Sequence, residues 1–260
     1  MIFQFFHHIN IERKNGGIKM ENNFKIIVTG DYACFTPPEA KIERYSYDVP
    51  TPSAMKGLIK AVYWKPAIDY IIDKIVVFNP IKDTEIRLNE VKNKVNFTAM
   101  KDEMLGKRGK DPCIYTSTNR TQRANRILKD VKYGIEFHIV LRGVRNKKPD
   151  ECLNKHIAIL NRRLNKGQHH AMPFLGMANF PVNDIYPVDE FNYSNIHEDV
   201  LKLGDYNLGM MVYDVVFTDG GIPINGDYGK PKFSNEAYTK YYRPHMINGV
   251  IDVKEYFNKR

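Results

Sequence analysis

The chain reads as an α+β protein, with a ferredoxin-like (RRM-like) N-terminal domain and a smaller antiparallel β-sheet C-terminal domain. Three observations predict this. Strand-like and helix-like patterns follow one another as strand, helix, strands, helix and further strands. Both helical patterns are amphipathic, so two helices can lie on one face of a sheet. The last third is spaced by glycine and proline between short apolar runs. The domains are expected over residues 21–178 and 179–260, with residues 1–20 as a non-native or disordered extension. With 260 residues, 43% of them hydrophobic, and a mean hydropathy of −0.46, the chain can bury a core and remain soluble.

The N-terminal "MIFQFFHHINIERKNGGIKM" has no basic leader and no small-residue cleavage site, so it is not a signal peptide. "NGGIKM" reads as a translated ribosome-binding site with the true start at Met20; an ordered arm is the competing reading. "FKIIVTGDYACF", from Phe24, is rich in β-branched and aromatic residues and predicts a strand. After a proline-punctuated loop, a helix is expected over Pro52 to Tyr63. Thr51 or Ser53 would cap it, Met55, Leu58, Ile59 and Val62 form its apolar stripe, and Pro66 stops it. "DKIVVFNPI" and "NKVNFTAM" read as strands, and Lys101 to Asp111 as a charged, mobile loop. In "KYGIEFHIVL", Tyr133, Ile135, Phe137, Ile139 and Leu141 alternate onto one strand face. A second helix, about Asp150 to Asn165, carries its stripe on Leu153, Ile157, Leu160 and Leu164. "GMMVYDVVFTDGGIPI" suggests a hairpin turning at Asp219-Gly220-Gly221.

The net charge of +9 and a pI near 9.2 suit a polyanionic partner, and bases stack on aromatic faces beside cations. Such charge is not base-specific and also admits duplex DNA. Cys34, Cys113 and Cys152 are scattered and odd in number, which fits a reducing cytoplasm better than a disulfide framework. No apolar run approaches the ~18 residues of a membrane helix. The chain has no P-loop, no GxSxG, no HExxH and no carboxylate cluster at metal-ligand spacing, so neither metal nor cofactor is expected. RNA cleavage without a metal uses the 2′-hydroxyl as nucleophile. It needs a proton-transfer group poised near neutral pH and a cation or donors for the crowded phosphorane.

"NKHIAILNRRLNKG" offers such groups. On a helical wheel His156 lies at the shoulder of the apolar stripe, roughly 70° from its centre, with Lys155, Arg162 and Lys166 on the far side. Arg163 adds a further cation. An ordinary amphipathic helix with a basic solvated face explains the same pattern. His169 and His170 follow as phosphate contacts. Arg120, Arg123 and Arg126 would share a face on a helix and scatter on a strand. His138, on the alternate strand face, reads as a surface residue.

Taken in order, "GDYACFTPP", "YSYDVPTPSAMKGLIKAVYWKP", "TQRANRILKDVKYGIEFH", "NKHIAIL" and "FLG" resemble the CRISPR-associated Cas-five-d family (Dvulg, subtype I-C) of the RAMP superfamily. The likeness runs from about Phe24 to Gly176 and is looser beyond. It implies a metal-independent endoribonuclease that cuts the CRISPR repeat precursor RNA beside its stem-loop. The products carry a 5′-hydroxyl and a 2′,3′-cyclic phosphate, and the protein stays on the 5′ handle of the crRNA. Its further partners would be the backbone and large subunits of the type I-C interference complex. The resemblance places the family's active-site tyrosine on Tyr63 and its lysine–histidine pair on Lys155 and His156. Tyr63 would then turn its hydroxyl toward RNA while Trp64 packs. Adjacent helical residues diverge by about 100°, so Lys155 and His156 face one phosphate only at a frayed first turn.

The chain departs from the family's run "GQCFHQPYLGCREF", reading "GQHHAMPFLGMANF". The family's histidine falls on Ala171, and its arginine and glutamate fall on Ala178 and Asn179. These departures bear on RNA affinity more than on the chemistry.

Overall fold

A computed structural model describes residues 11–14, 17–40, 42–107, 111–141, 152–219, 224–225 and 232–258. It is a mixed α/β structure dominated by one large, mainly antiparallel sheet. The strands are β1 (Ile11–Lys14), β2 (Gly17–Met20), β3 (Phe24–Ala33), β4 (Arg44–Tyr45), β5 (Ile68–Val77), β6 (Asp83–Val91) and β7 (Arg120–Leu141). They continue as β8 (Asp184–Pro187), β9 (Asp205–Asn207), β10 (Met211–Phe217), β11 (Ala237–Tyr242), β12 (His245–Ile247) and β13 (Val250–Asp252). The helices are α1 (Pro52–Val62), α2 (Phe97–Met104), α3 (Leu153–Asn165), α4 (Glu198–Leu201) and α5 (Val253–Asn258).

The main sheet runs β8-β3-β7-β5-β13-β12-β9, and β4 and β6 also pair with β7. Strand β7 is the spine. Its C-terminal half lies between β3 and β5, with Ile135 opposite both Ile26 and Ile75. Its N-terminal half leaves that sandwich and pairs with β6, Asp83 opposite Leu128 through Val91 opposite Arg120. The change of partners falls at Asp130, whose φ of 53° is a left-handed conformation that aspartate tolerates better than most residues.

The alternation read from Tyr133 to Ile139 holds, and all four of those residues are buried. Leu141 is 45% exposed because it is the last residue of the strand. Their face packs under the stripes of α1 and α3: Met55, Leu58, Ile59 and Val62 from one, Ile157, Leu160 and Leu164 from the other. The opposite face is covered in part by Phe191, Ile196 and Val200. A Cβ at Gly134 would meet the Phe191 ring at 2.8 Å, so only glycine lets that cover close.

Several elements differ from the sequence expectation. "NKVNFTAM" is not a strand. Asn96 caps α2 by accepting from the backbone N–H groups of Thr98 and Ala99 at 3.1 and 3.2 Å, and the helix runs into the supposed loop as far as Met104. Arg108 to Lys110 lie outside the described residues. Strand β6 went unread because charged residues interrupt its apolar positions, although its burial alternates residue by residue. Strand β10 does form a hairpin, but with Ala237–Tyr242, Phe217 opposite Ala237. Gly220 and Gly221 of the expected turn lie outside the described residues.

Among the described residues a separate C-terminal sheet is seen only in β10 and β11. Strands β8 and β13 instead pair with β3 and β5 of the main sheet, covering edges that would otherwise present unpaired backbone groups. At the N-terminus, β1 and β2 pair antiparallel, Ile11 opposite Met20. Met1 to Asn10 lie outside the described residues. Among the described residues no helix is long and apolar enough to cross a membrane.

The segment after α3 is clamped against the end of β3. The Cys34 N–H donates to the Leu175 carbonyl at 3.0 Å, and the Leu175 N–H to that of Phe180 at 2.8 Å. Gly176 follows with φ +83°, and a Cβ there would sit 2.0 Å from the Cys34 carbonyl oxygen. Gly176→Ala is therefore expected to destabilise the fold by about 3–5 kcal/mol through strain and backbone overlap. Thermal unfolding should show a melting point lower by on the order of 10 °C; an unchanged melting point would contradict this close approach.

Candidate active site

Helix α1 ends where the site begins. Thr51 accepts from the Ala54 N–H at 3.2 Å to cap its start, and Pro52 occupies the first turn. At the other end Tyr63 takes an extended backbone (φ −148°, ψ 124°) while its N–H still bonds the Ile59 carbonyl at 3.0 Å. Tyr63 therefore terminates the helix rather than belonging to it, and its ring turns into the core, 2% exposed.

Two side chains, from Tyr70 and Arg163, fix that end. The Tyr70 hydroxyl donates to the Tyr63 carbonyl at 2.6 Å. Burial pushes the Tyr70 phenol well up from its ordinary value, with nearby Tyr63 adding to the shift, so it remains a donor. Arg163 on α3 donates to the Val62 carbonyl at 2.6 Å, and its guanidinium carbon lies 5.1 Å from the centre of the Tyr63 ring. Lys56 bridges Asp69 on β5 (2.9 Å) and Asp214 on β10 (2.7 Å), tying the helix to both strands. Burial alone would lower the Lys56 pKa, but the hydrogen bonds to Asp214 and Asp69 outweigh it and raise the value.

From α3, His156 approaches Tyr63 from across the sheet face. Its Nδ1 lies 2.9 Å from the Tyr63 hydroxyl, between residues 93 apart in sequence. A neutral imidazole accepts at Nδ1 only with its proton on Nε2. His156 is 2% exposed and shares the buried face with Ile157, Leu160 and Leu164. It does not stand at a groove edge, because Tyr63 at the end of α1 packs against it and takes the shoulder position inside. The Tyr63 hydroxyl likewise points at His156 rather than outward.

Lys155 is exposed. The helix starts at Leu153, later than Asp150, with Cys152 at its N-cap and no side-chain capping bond. Even so, Lys155 and His156 diverge as a regular turn requires. Arg162 and Lys166 stand on the exposed side of α3, whereas Arg163 is turned toward Tyr63. His169 and His170 are exposed, and the loop carrying them is docked on α1: the N–H groups of His170 and Ala171 both donate to the Ala61 carbonyl, at 2.8 and 3.1 Å.

The other predicted cations lie elsewhere. Arg120, Arg123 and Arg126 belong to strand β7, so Arg123 faces opposite to the other two. Arg123 pairs with Glu90 at 3.2 Å and Arg126 with Asp83 at 2.6 Å. His138 pairs with Asp73 at 2.6 Å and lines a cavity of about 490 Å³, with its side chain on the sheet face opposite the helices. Among the described residues no three His, Cys, Asp or Glu side chains are gathered as a metal ion would require. The sequence reading missed Arg163 as a partner of Tyr63 and took Trp64 as packed, whereas it is 51% exposed.

A family model described as CRISPR-associated protein (Cas_Cas5) matches residues 25–254. The chain belongs to the Cas5d family. A Cas5d relative from Mannheimia succiniciproducens, named CRISPR pre-crRNA endoribonuclease Cas5d, is 36% identical over 92% of this chain and 97% of its own. A protein of the same name from Thermus thermophilus is 34% identical over 81% of this chain and 77% of its own. Among solved structures, one titled "Crystal Structure of CRISPR-associated Protein" covers 93% of this chain and 96% of its own, with a TM-score of 0.57 and 24% identity. That last likeness concerns the Cas5d fold alone.

Proposed function

We propose that this chain is a metal-independent endoribonuclease that cleaves CRISPR repeat precursor RNA beside its stem-loop. It then stays on the 5′ handle of the product as a subunit of the type I-C interference complex. One observation carries the reading: in a member of the Cas5d family, the Tyr63 hydroxyl and His156 Nδ1 meet at 2.9 Å. The order β8-β3-β7-β5, with α1 between β3 and β5 and α3 between β7 and β8, supports a ferredoxin-like βαββαβ unit. Drawn so, the unit runs through Pro187 rather than ending at residue 178.

In the proposed reaction the 2′-oxygen attacks the adjacent phosphorus, a 2′-O–P bond forms and the P–O5′ bond breaks. The 2′-hydroxyl loses a proton and the departing 5′-oxygen gains one. Tyr63 orients the nucleophile by hydrogen bonding, since a phenol is a poor bulk base near neutral pH. His156 exchanges the proton, and Lys155 offsets charge on the phosphorane. As both rings are buried, RNA must open the first turn of α3, where the helix lacks a side-chain cap. A frayed turn also lets Lys155 and His156 face one phosphate. The outward cations Arg120, Arg162, Lys166, His169 and His170 hold the RNA backbone.

The deciding experiment is cleavage of the repeat RNA in EDTA, with a 2′-deoxy substitution at the scissile nucleotide as control. Cleavage should persist in EDTA and stop with the 2′-deoxy RNA. A metal requirement, or cutting of the modified RNA, refutes the mechanism. The burial of His156 favours a second reading, which the same assay tests: a non-catalytic crRNA-binding subunit that also contacts duplex DNA. It predicts binding of the repeat RNA with no cleavage.

A further inference from the structure

Trp64 is the only tryptophan of the chain, yet it stands 51% exposed beside the buried Tyr63. Aromatic rings bury roughly 150–250 Å² each and are ordinarily drawn into cores. The backbone explains its direction. Tyr63 leaves α1 in an extended conformation, and successive side chains on extended backbone point to opposite sides. With Tyr63 turned in to His156, Trp64 is turned out. Among the described residues no ring or hydrogen-bonding group engages it.

Its neighbours are cationic or can become so. Lys65 is exposed and follows directly. His169 and His170 are exposed and held at the same end of α1 through the Ala61 carbonyl. An aromatic face flanked by cations is how single-stranded nucleic acid is held without sequence preference: bases stack, and phosphates meet the charges.

We infer that Trp64 is a stacking platform for the nucleobase next to the scissile phosphate, with Lys65, His169 and His170 on the adjoining phosphates. The assignment rests on the endoribonuclease reading above and adds a binding residue to it. Stacking there halts the strand one nucleotide from Tyr63 and His156, so the 2′-oxygen can be held in line with the bond that breaks.

Because the chain has a single tryptophan beside 16 tyrosines, emission excited at the red edge of the indole band, where phenols do not absorb, reports on this position alone. The full chain is titrated with repeat RNA made uncleavable by a 2′-deoxy nucleotide at the cut site mapped on unmodified RNA. Emission should be quenched along the binding curve measured independently by anisotropy of labelled RNA. Trp64→Ala should weaken binding by about tenfold and Trp64→Phe should restore most of it, since ring stacking rather than the indole carries the contact. An abasic nucleotide beside the cut should cost the parent a similar factor and cost Trp64→Ala nothing further. RNA that is bound and cleaved with unchanged emission, and with Trp64→Ala within twofold of the parent, overturns this inference and leaves the endoribonuclease reading standing. RNA that is neither bound nor cleaved overturns both.

Discussion

His156→Ala should lower the single-turnover rate of repeat-RNA cleavage by about 10²–10⁴, the usual worth of a positioned proton-transfer group. RNA affinity should change by less than about threefold, because binding rests on many phosphate contacts, of which His156 supplies at most one. The obvious complication is stability, since His156 is packed with Ile157 and Leu160 and its truncation leaves a hole in the core. His156→Asn separates the two effects. Its amide can occupy the place of Nδ1 and keep the bond to Tyr63, yet it cannot take up a proton near neutral pH. It should therefore melt close to the parent and lose cleavage as fully as the alanine variant. Parental cleavage by His156→Asn would reduce His156 to a structural residue and assign the proton transfer to another group.

Local pattern made much of the fold legible. The stripes of α1 and α3 and the alternation from Tyr133 to Ile139 are properties of short windows, and they appear where periodicity puts them. The Asn96 cap is local too, but the apolar run after it suits a strand equally well, and only its two hydrogen bonds decide the matter. The destinations of β8 and β13 were not legible. Their pairing with β3 and β5 joins segments far apart in the chain, and a three- or four-residue strand carries too few alternations to announce a partner.

The site divides the same way. The resemblance named Tyr63, Lys155 and His156, but the wheel left His156 at a boundary between core and solvent. The boundary is decided by the end of α1, whose Tyr63 meets His156 from 93 residues away in the chain, a contact that a wheel does not contain. Arg163 shows the reverse error. Its neighbours Arg162 and Lys166 made it look like part of a solvated basic face, yet it is the one cation of the three that is turned onto the Tyr63 ring.

Tyr63→Phe should lower the cleavage rate by about 10²-fold while leaving the fold nearly intact. The ring keeps its packing and its contact with Arg163, and the Tyr70 hydroxyl still has the backbone carbonyl of residue 63 to bond. Loss of the hydroxyl removes one buried hydrogen bond to His156, costing about 1–2 kcal/mol of stability. If Tyr63 and His156 act as one unit, their losses will not add. Groups that work together in catalysis characteristically cost little more when both are removed than when the essential one is. The double variant Tyr63→Phe, His156→Asn should accordingly cleave no more slowly than His156→Asn alone. Losses that multiply across the double-mutant cycle, measured in single turnover at saturating protein, would show that the two side chains touch in the core but serve the reaction separately.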